Sequence, residues 1–303
     1  MDDLRRLDPA RSAGLRGIAL YSTGIFLGSL TDVLIKWLSG SYPILEIMFF
    51  RALFGLLPAL ALIRWEGGLA CLKTAKPGVQ LLRGLIAVAG FALFYYAFSV
   101  MPLANAYAIA FAAPLVMTAL SAPILGETVG PRRWSAVLAG FGGILIVLWP
   151  DLHAGGLGGA GWLAALAGTV LYAVASLLIR GLSRTDGNAA IVVYGTLVMV
   201  AVSAAALPFG FVMPGGTDWL LLAATGLLGG LTTIAVTAAF RAAEAAVIAP
   251  FEYTSMIWAV AFGYVIWSDV PTAYVLAGSA VIVGAALYVL HREAIDQRRT
   301  TRE

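Results

Sequence analysis

The chain has 303 residues, of which 61% are hydrophobic and only 12% charged, with a formal net charge of +3 at pH 7. A soluble domain is about 45–50% apolar and about 25% charged. This composition therefore excludes a soluble enzyme, a disordered chain and a disulfide scaffold, and points to an integral membrane protein.

In chain order, apolar stretches suited to the roughly 30 Å hydrocarbon core run over about 14–39, 43–64, 78–99, 103–123, 133–149, 160–180, 189–209, 217–239, 246–267 and 272–291. They are continuous rather than alternating, which predicts helices and not barrel strands. With the N-terminus in the cytoplasm, alternation puts 17 of the 19 Lys and Arg residues inside, Arg83 among them, and none in the outer loops. Lys36 and Arg51 fall within spans. This asymmetry obeys the positive-inside rule and predicts ten spans with both termini cytoplasmic. The basic balance is thus topological, facing membrane lipid and not nucleic acid. The N-terminal charges precede no cleavage pattern, so no removable signal peptide is expected.

The sequence also carries an internal repeat. At an offset of 142, residues 97–150 align without a gap to 239–292: Ala97 and Phe98 fall on Ala239 and Phe240, Glu127 on Asp269, and Gly142 on Gly284. Upstream, Leu34–Ser39 resembles Leu178–Ser183 at an offset of 144. Five spans per repeat is an odd number, so the second repeat is expected inverted, with a substrate site near the midplane between the halves. The expected division is a cytoplasmic segment 1–13, a first repeat 14–149, an outer linker 150–159, a second repeat 160–291 and a basic cytoplasmic tail 292–303.

Two motifs carry a family resemblance. The first repeat reads Tyr95-Tyr96-Ala97-Phe98 followed by Ala104, then Gly126-Glu127-Thr128; the second reads Ala239-Phe240 followed by Ala246, then Ser268-Asp269-Val270-Pro271. The chain resembles the EamA-type drug/metabolite transporter superfamily and, within it, YddG-type bacterial amino-acid exporters. The resemblance implies an all-α fold, ten helices in two inverted five-helix repeats around a central cavity, and outward movement of the solute.

Ionisable groups within spans are costly and mark candidate function: Asp32, Lys36, Glu46, Arg51 and Glu252. Asp32 and Lys36 are four residues apart in acid-first order, which suits a local ion pair or else a gate or substrate contact. Arg51 lies five residues after Glu46, poor geometry within one helix, so its expected partner is on another helix. Glu252 has no base within a turn and is expected either to exchange a proton or bind an amine, or to hold helices together as a neutral carboxyl. Pro114 and Pro250 interrupt their spans and free carbonyls at Ala110 and Ala246. Stripes of hydroxyls and rings outline a cavity wall: Ser22, Phe26 and Ser29; Phe91, Tyr95 and Phe98; Asn105, Tyr107 and Phe111; Trp162, Thr169, Tyr172 and Ser176; and Tyr253 beside Glu252. Ala136/Gly140 and Ala280/Gly284 are expected to bring helices close together.

There is no phosphate-binding lysine loop, nucleophile elbow or mid-span histidine. The lone Cys71 and the absence of a Cys/His cluster imply neither a metal nor a cofactor. The expected activity is that of a non-enzymatic secondary transporter or facilitator for small neutral or zwitterionic metabolites, with amino-acid export foremost. A nucleotide-sugar or organophosphate carrier, and further behind a membrane-embedded enzyme, are the alternatives. The expected partners are a small-molecule substrate and membrane lipid, and both a monomer and a homodimer fit.

Overall fold

The computed structural model describes residues 9–66, 68–125, 130–153, 159–183, 185–242 and 248–300, and among them there is no strand. Prolines set several helix starts. After α1 (Pro9–Leu38), Pro43 precedes α2 (Ile44–Trp65) and Pro77 opens α3 (Pro77–Val100). Pro102 precedes α4 (Leu103–Ala110), α5 spans Ala113–Leu125, and Pro131 opens α6 (Pro131–His153). Proline is tolerated there because N–H groups of the first turn have no intrahelical acceptor. The second half holds α7 (Gly159–Leu182), α8 (Asn188–Ala206), α9 (Asp218–Ala242), a 3-10 turn at Ala249–Thr254, α10 (Ser255–Trp267) and α11 (Ala273–Thr300). α1 therefore begins ahead of the first expected span, and α11 continues through most of the expected tail.

Pro114 has the expected effect. It cannot donate to the Ala110 carbonyl, and the chain turns between α4 and α5 at Phe111-Ala112, with Ala112 N donating to Ile109 O at 3.0 Å. Pro250 lies in the 3-10 turn before α10. The Ala246 carbonyl, like Glu127, lies outside the described residues.

Among the described residues seven helical stretches are long and apolar enough to cross a membrane: Gly14–Leu38, Ile44–Trp65, Pro77–Val100, Leu103–Pro123, Gly159–Leu182, Asn188–Phe209 and Asp218–Phe240. The apolar stretches Trp134–Pro150 and Ala273–Val289 are shorter, and α10 has 13 residues. Outward-facing side chains are greasy: Val265 is 77% exposed, Leu220 73% and Leu138 67%. Such a surface requires lipid around it, and the protein is a multi-pass membrane protein.

The core forms between the two halves of the chain. α1 packs on α9 and α3 on α7; α2 packs on α9 and α8 on α3; α2 meets α8, α4 meets α10 and α6 meets α11. Backbones touch where glycine allows it. A Cβ on Gly278 would stand 2.6 Å from the Gly143 carbonyl oxygen, and one on Gly226 would stand 2.6 Å from that of Arg51. Of the expected positions, Gly140 does lie close against α5, where a Cβ would meet the Leu115 side chain, whereas Gly284 faces nothing within 4 Å.

Glu46 has a local task. Its Oε2 accepts from Val212 N at 2.9 Å, while Tyr42 donates to Asp218 at 2.6 Å, so the connection between α8 and α9 is tied to the start of α2. At the other end of α2, buried Asp186 accepts from Thr74 Oγ1 (2.5 Å), Gln80 Nε2 (2.8 Å), Thr185 Oγ1 (3.0 Å) and Ala75 N (3.4 Å). The Thr74 hydroxyl foremost, then Gln80, holds this carboxyl below the ordinary carboxylate range. A lowered folded-state pKa stabilises the fold at neutral pH, and that contribution fades as pH falls from about 3.9 through the folded value. Asp186→Asn cannot titrate. It is therefore expected to melt below wild type at neutral pH and to converge with it in strong acid, as read from melting curves in detergent.

Candidate functional site

Two of the cavities between the halves share Phe91 in their walls. The first, of about 240 Å³, is an aromatic chamber. On α3, Phe91, Tyr95 and Phe98 recur at four- and three-residue spacing and so share one helix face; Tyr107 and Phe111 continue the wall on α4 and just beyond it. Their rings follow one another with centroids 5.8 Å (Phe91–Tyr95), 6.1 Å (Tyr95–Phe98), 6.1 Å (Phe98–Tyr107) and 6.3 Å (Tyr107–Phe111) apart. The last ring meets Tyr253 edge-on at 5.1 Å. Ser29 and Asp32 on α1, Tyr172 on α7, Thr232 on α9 and Glu252 in the 3-10 turn also line it.

Two carboxyl groups face this chamber. Asp32 Oδ2 accepts from the Tyr107 hydroxyl at 2.5 Å. The Glu252 carboxyl has no hydrogen bond or ion pair among the described residues, although its backbone carbonyl accepts from Ser255 at 2.7 Å. An aromatic wall with two acids suits an apolar or ring-bearing body that carries an amine.

The expected Asp32–Lys36 pair is not made. Lys36 turns away from its neighbour, and its Nζ instead reaches Asp269 (3.3 Å) and the Met101 carbonyl (2.8 Å), 4.8 Å from the Trp267 ring centre. These contacts tie together the ends of α1, α3 and α10 beyond the chamber. Asp269, the counterpart of Glu127 in the repeat, thus carries half of an ion pair. Among the described residues Arg51 has no carboxylate within ion-pair distance: its guanidinium lies over Phe91 at 5.4 Å and Tyr95 at 5.9 Å, while Glu46 accepts from Val212 N.

The structure brings together Ser29, Phe91, Tyr95, Phe98, Tyr107, Phe111, Tyr172 and Glu252 in the chamber, with Asp32, and leaves the other wall candidates outside it. Phe26 packs on Trp258 at 4.8 Å. Thr169 is buried on α7 and donates to Ala165 O, and Ser176 donates to Tyr172 O. Trp162 packs against the buried core, and Tyr253 closes behind Phe111. Ser22 and Asn105 are half-buried off the lining.

The second cavity, of about 250 Å³, lies between α2, α3, α8 and α9. Arg51 and Arg83 both line it. Arg83, counted from sequence with the inner basic residues, is in fact only 6% exposed and donates to the Ile191 carbonyl at 2.9 Å. The signal that locates it is the stripe Arg83, Ala87, Phe91, which puts it on the face of the aromatic wall.

Residues 15–149 match the model of the EamA-like transporter family. The chain is similar to a riboflavin transporter of Rhizobium johnstonii, 29% identical over 89% of each chain. It is also similar to an S-adenosylmethionine uptake transporter of Rickettsia felis, 25% identical over 95% of this chain and 96% of the relative. The pseudopaline exporter CntI of Pseudomonas aeruginosa is 30% identical over 89% of this chain and 94% of its own. A crystal structure of 23% identity shares the fold at a TM-score of 0.59, over 91% of this chain and 94% of that one.

Proposed function

Since the chain belongs to the EamA-like transporter family, we propose that it is a secondary transporter or facilitator whose solute crosses through the aromatic chamber. The solutes proposed are zwitterionic metabolites of amino-acid type, carried in a bacterial inner membrane with both termini cytoplasmic. The observation that carries this reading is the Asp32–Tyr107 contact inside the ring-lined chamber, a charged station for an amine within an otherwise apolar wall. The relatives include both an uptake protein and an exporter, and export is proposed here on the sequence resemblance. The experiment is counterflow of a labelled amino-acid panel into liposomes holding only this protein. Accumulation of one solute class supports the reading, whereas no flux for any member counts against it.

The mechanism proposed is alternating access by two inverted five-helix repeats, 14–149 and 160–291. Exchanging the halves maps α1–α9 onto α7–α3 and α2–α9 onto α8–α3, and all four pairings occur. Phe111 and Tyr253, equivalent at the 142-residue offset, touch each other. Contact between equivalent residues is what a two-fold axis between the halves produces.

In this mechanism the Lys36–Asp269 pair is an outer latch. A charge-assisted contact of this partly buried kind is worth about 1–2 kcal/mol, roughly a fivefold to thirtyfold bias toward the closed end. Asp269→Asn is expected to raise the labelling rate of a Thr232→Cys reporter by an impermeant thiol reagent added outside by that factor. The swap Lys36→Asp with Asp269→Lys restores the slow rate. Equal labelling in all three proteins would remove the latch from the mechanism.

A further inference from the structure

The second cavity carries a charge imbalance that the transport reading does not use. Each guanidinium has five N–H donors. Among the described residues, Arg83 spends one on the Ile191 carbonyl and Arg51 has only a 4.0 Å contact to the Met199 sulfur. The Nε of each is buried without a partner. Among the described residues no carboxylate stands within ion-pair distance of either: the pair they give is Lys36–Asp269, and Asp32 of the adjoining chamber, which acts on Arg51 only at longer range, is bonded to Tyr107.

The backbone has been cleared to admit these groups. A Cβ on Gly195 would stand 2.2 Å from Arg83 Nη2, and one on Gly229 would stand 3.1 Å from Arg51 Nη2. Two facing helices thus carry glycine where a guanidinium lies. The rings of Phe91 and Tyr95 compensate Arg51 in part. Among the described residues Arg83 has no ring contact, and an unpaired cation in a span costs several kcal/mol. Water filling the roughly 250 Å³ cavity would satisfy N–H groups but leave the charge uncompensated.

We propose that the cavity between α2, α3, α8 and α9 is an oxyanion station that takes the carboxylate or phosphate end of the transported solute. This rests on the transport reading and deepens it. Arg83 precedes Phe91 by two turns, ~12 Å along α3 at 1.5 Å per residue. A solute with its ring or amine in the chamber therefore meets Arg51 beside Phe91, and Arg83 farther toward the α2–α3 connection. The acids of one cavity and the arginines of the other select solutes that carry both signs of charge. Arg binds oxyanions in preference to chloride because its planar donors match two oxygens at once.

The test is thermal unfolding of the purified full-length protein in lipid-free detergent. It is titrated separately with succinate, with inorganic phosphate and with added phosphatidylglycerol, against sodium chloride of equal ionic strength and against neutral succinamide. One or both oxyanions should raise the melting midpoint, by ~5 °C near a hundredfold excess over Kd, and chloride and succinamide should not. Arg83→Gln and Arg51→Gln should each lose most of that shift, while Arg83→Lys keeps part of it. Every shift is read against the same variant without ligand, so a general loss of stability does not imitate the result. Shifts equal to wild type in both Gln variants, no shift with either oxyanion, or a shift only with phosphatidylglycerol would each overturn the station. Intact counterflow with no oxyanion shift defeats the station alone. An oxyanion shift without counterflow of any solute defeats the transport reading.

Discussion

Asp32→Asn is expected to lower the kcat/KM of amine-bearing solutes by about 30- to 1000-fold, the roughly 2–4 kcal/mol range for removing one member of a buried charge pair. The carboxyl lies in the chamber wall, oriented by the Tyr107 hydroxyl at 2.5 Å, so one oxygen is held and the other is left for an ammonium. Asn keeps the shape and can still accept from Tyr107, so the fold should survive and the loss should lie in solute binding. Tyr107→Phe leaves the charge but releases its orientation, and a loss of about tenfold is expected. A solute that lacks an amine should be affected less than threefold by either change. Initial-rate counterflow at matched protein levels reads these differences. An equal loss for amine-bearing and amine-free solutes would assign Asp32 to structure instead.

The second large effect is on folding. Gly226→Ala puts a Cβ 2.6 Å from the Arg51 carbonyl oxygen, 2.6 Å from Phe54 Cβ and 2.8 Å from Gly55 N. None of these atoms can rotate away, so α2 and α9 must separate. Overpacking of this kind costs about 1–3 kcal/mol or more, against a helix-propensity gain of about 1 kcal/mol for replacing glycine. Gly284→Ala collects the same gain with nothing within 4 Å. The pair is therefore expected to split in detergent melting curves, with Gly226→Ala below wild type and Gly284→Ala at or above it. Coincident midpoints would contradict the close α2–α9 approach.

The parts of this molecule legible in its sequence are those with local causes. The Phe91, Tyr95 and Phe98 spacing identifies one face of α3 without reference to any other helix. Pro114 breaks its helix through its own missing N–H. Ionisable residues within spans were visible because each is costly in isolation. Their partners were not visible, since pairing is set by tertiary packing. Asp32 finds Tyr107 75 residues away, and Lys36 finds Asp269 233 residues away, in preference to each other at four. Arg83 was hidden because a charge six residues from a helix start reads as a headgroup contact. Only the facing Gly195 and the stripe through Ala87 to Phe91 reveal that it turns inward. The glycines followed the same logic: the close approaches at Gly143, Gly226 and Gly278 depend on which helix lies opposite, which spacing within one helix does not specify.

The chamber as the solute's route is tested most directly by blocking it. Cys71 is the chain's single cysteine, so a Cys71→Ser background carrying Thr232→Cys puts one thiol on the chamber wall at little change in side-chain size. Counterflow into liposomes is measured before and after treatment with a bulky methanethiosulfonate reagent, with and without excess solute. Flux is expected to fall by about tenfold or more on modification, with protection by solutes that are transported. Full-rate counterflow through the modified protein would contradict it.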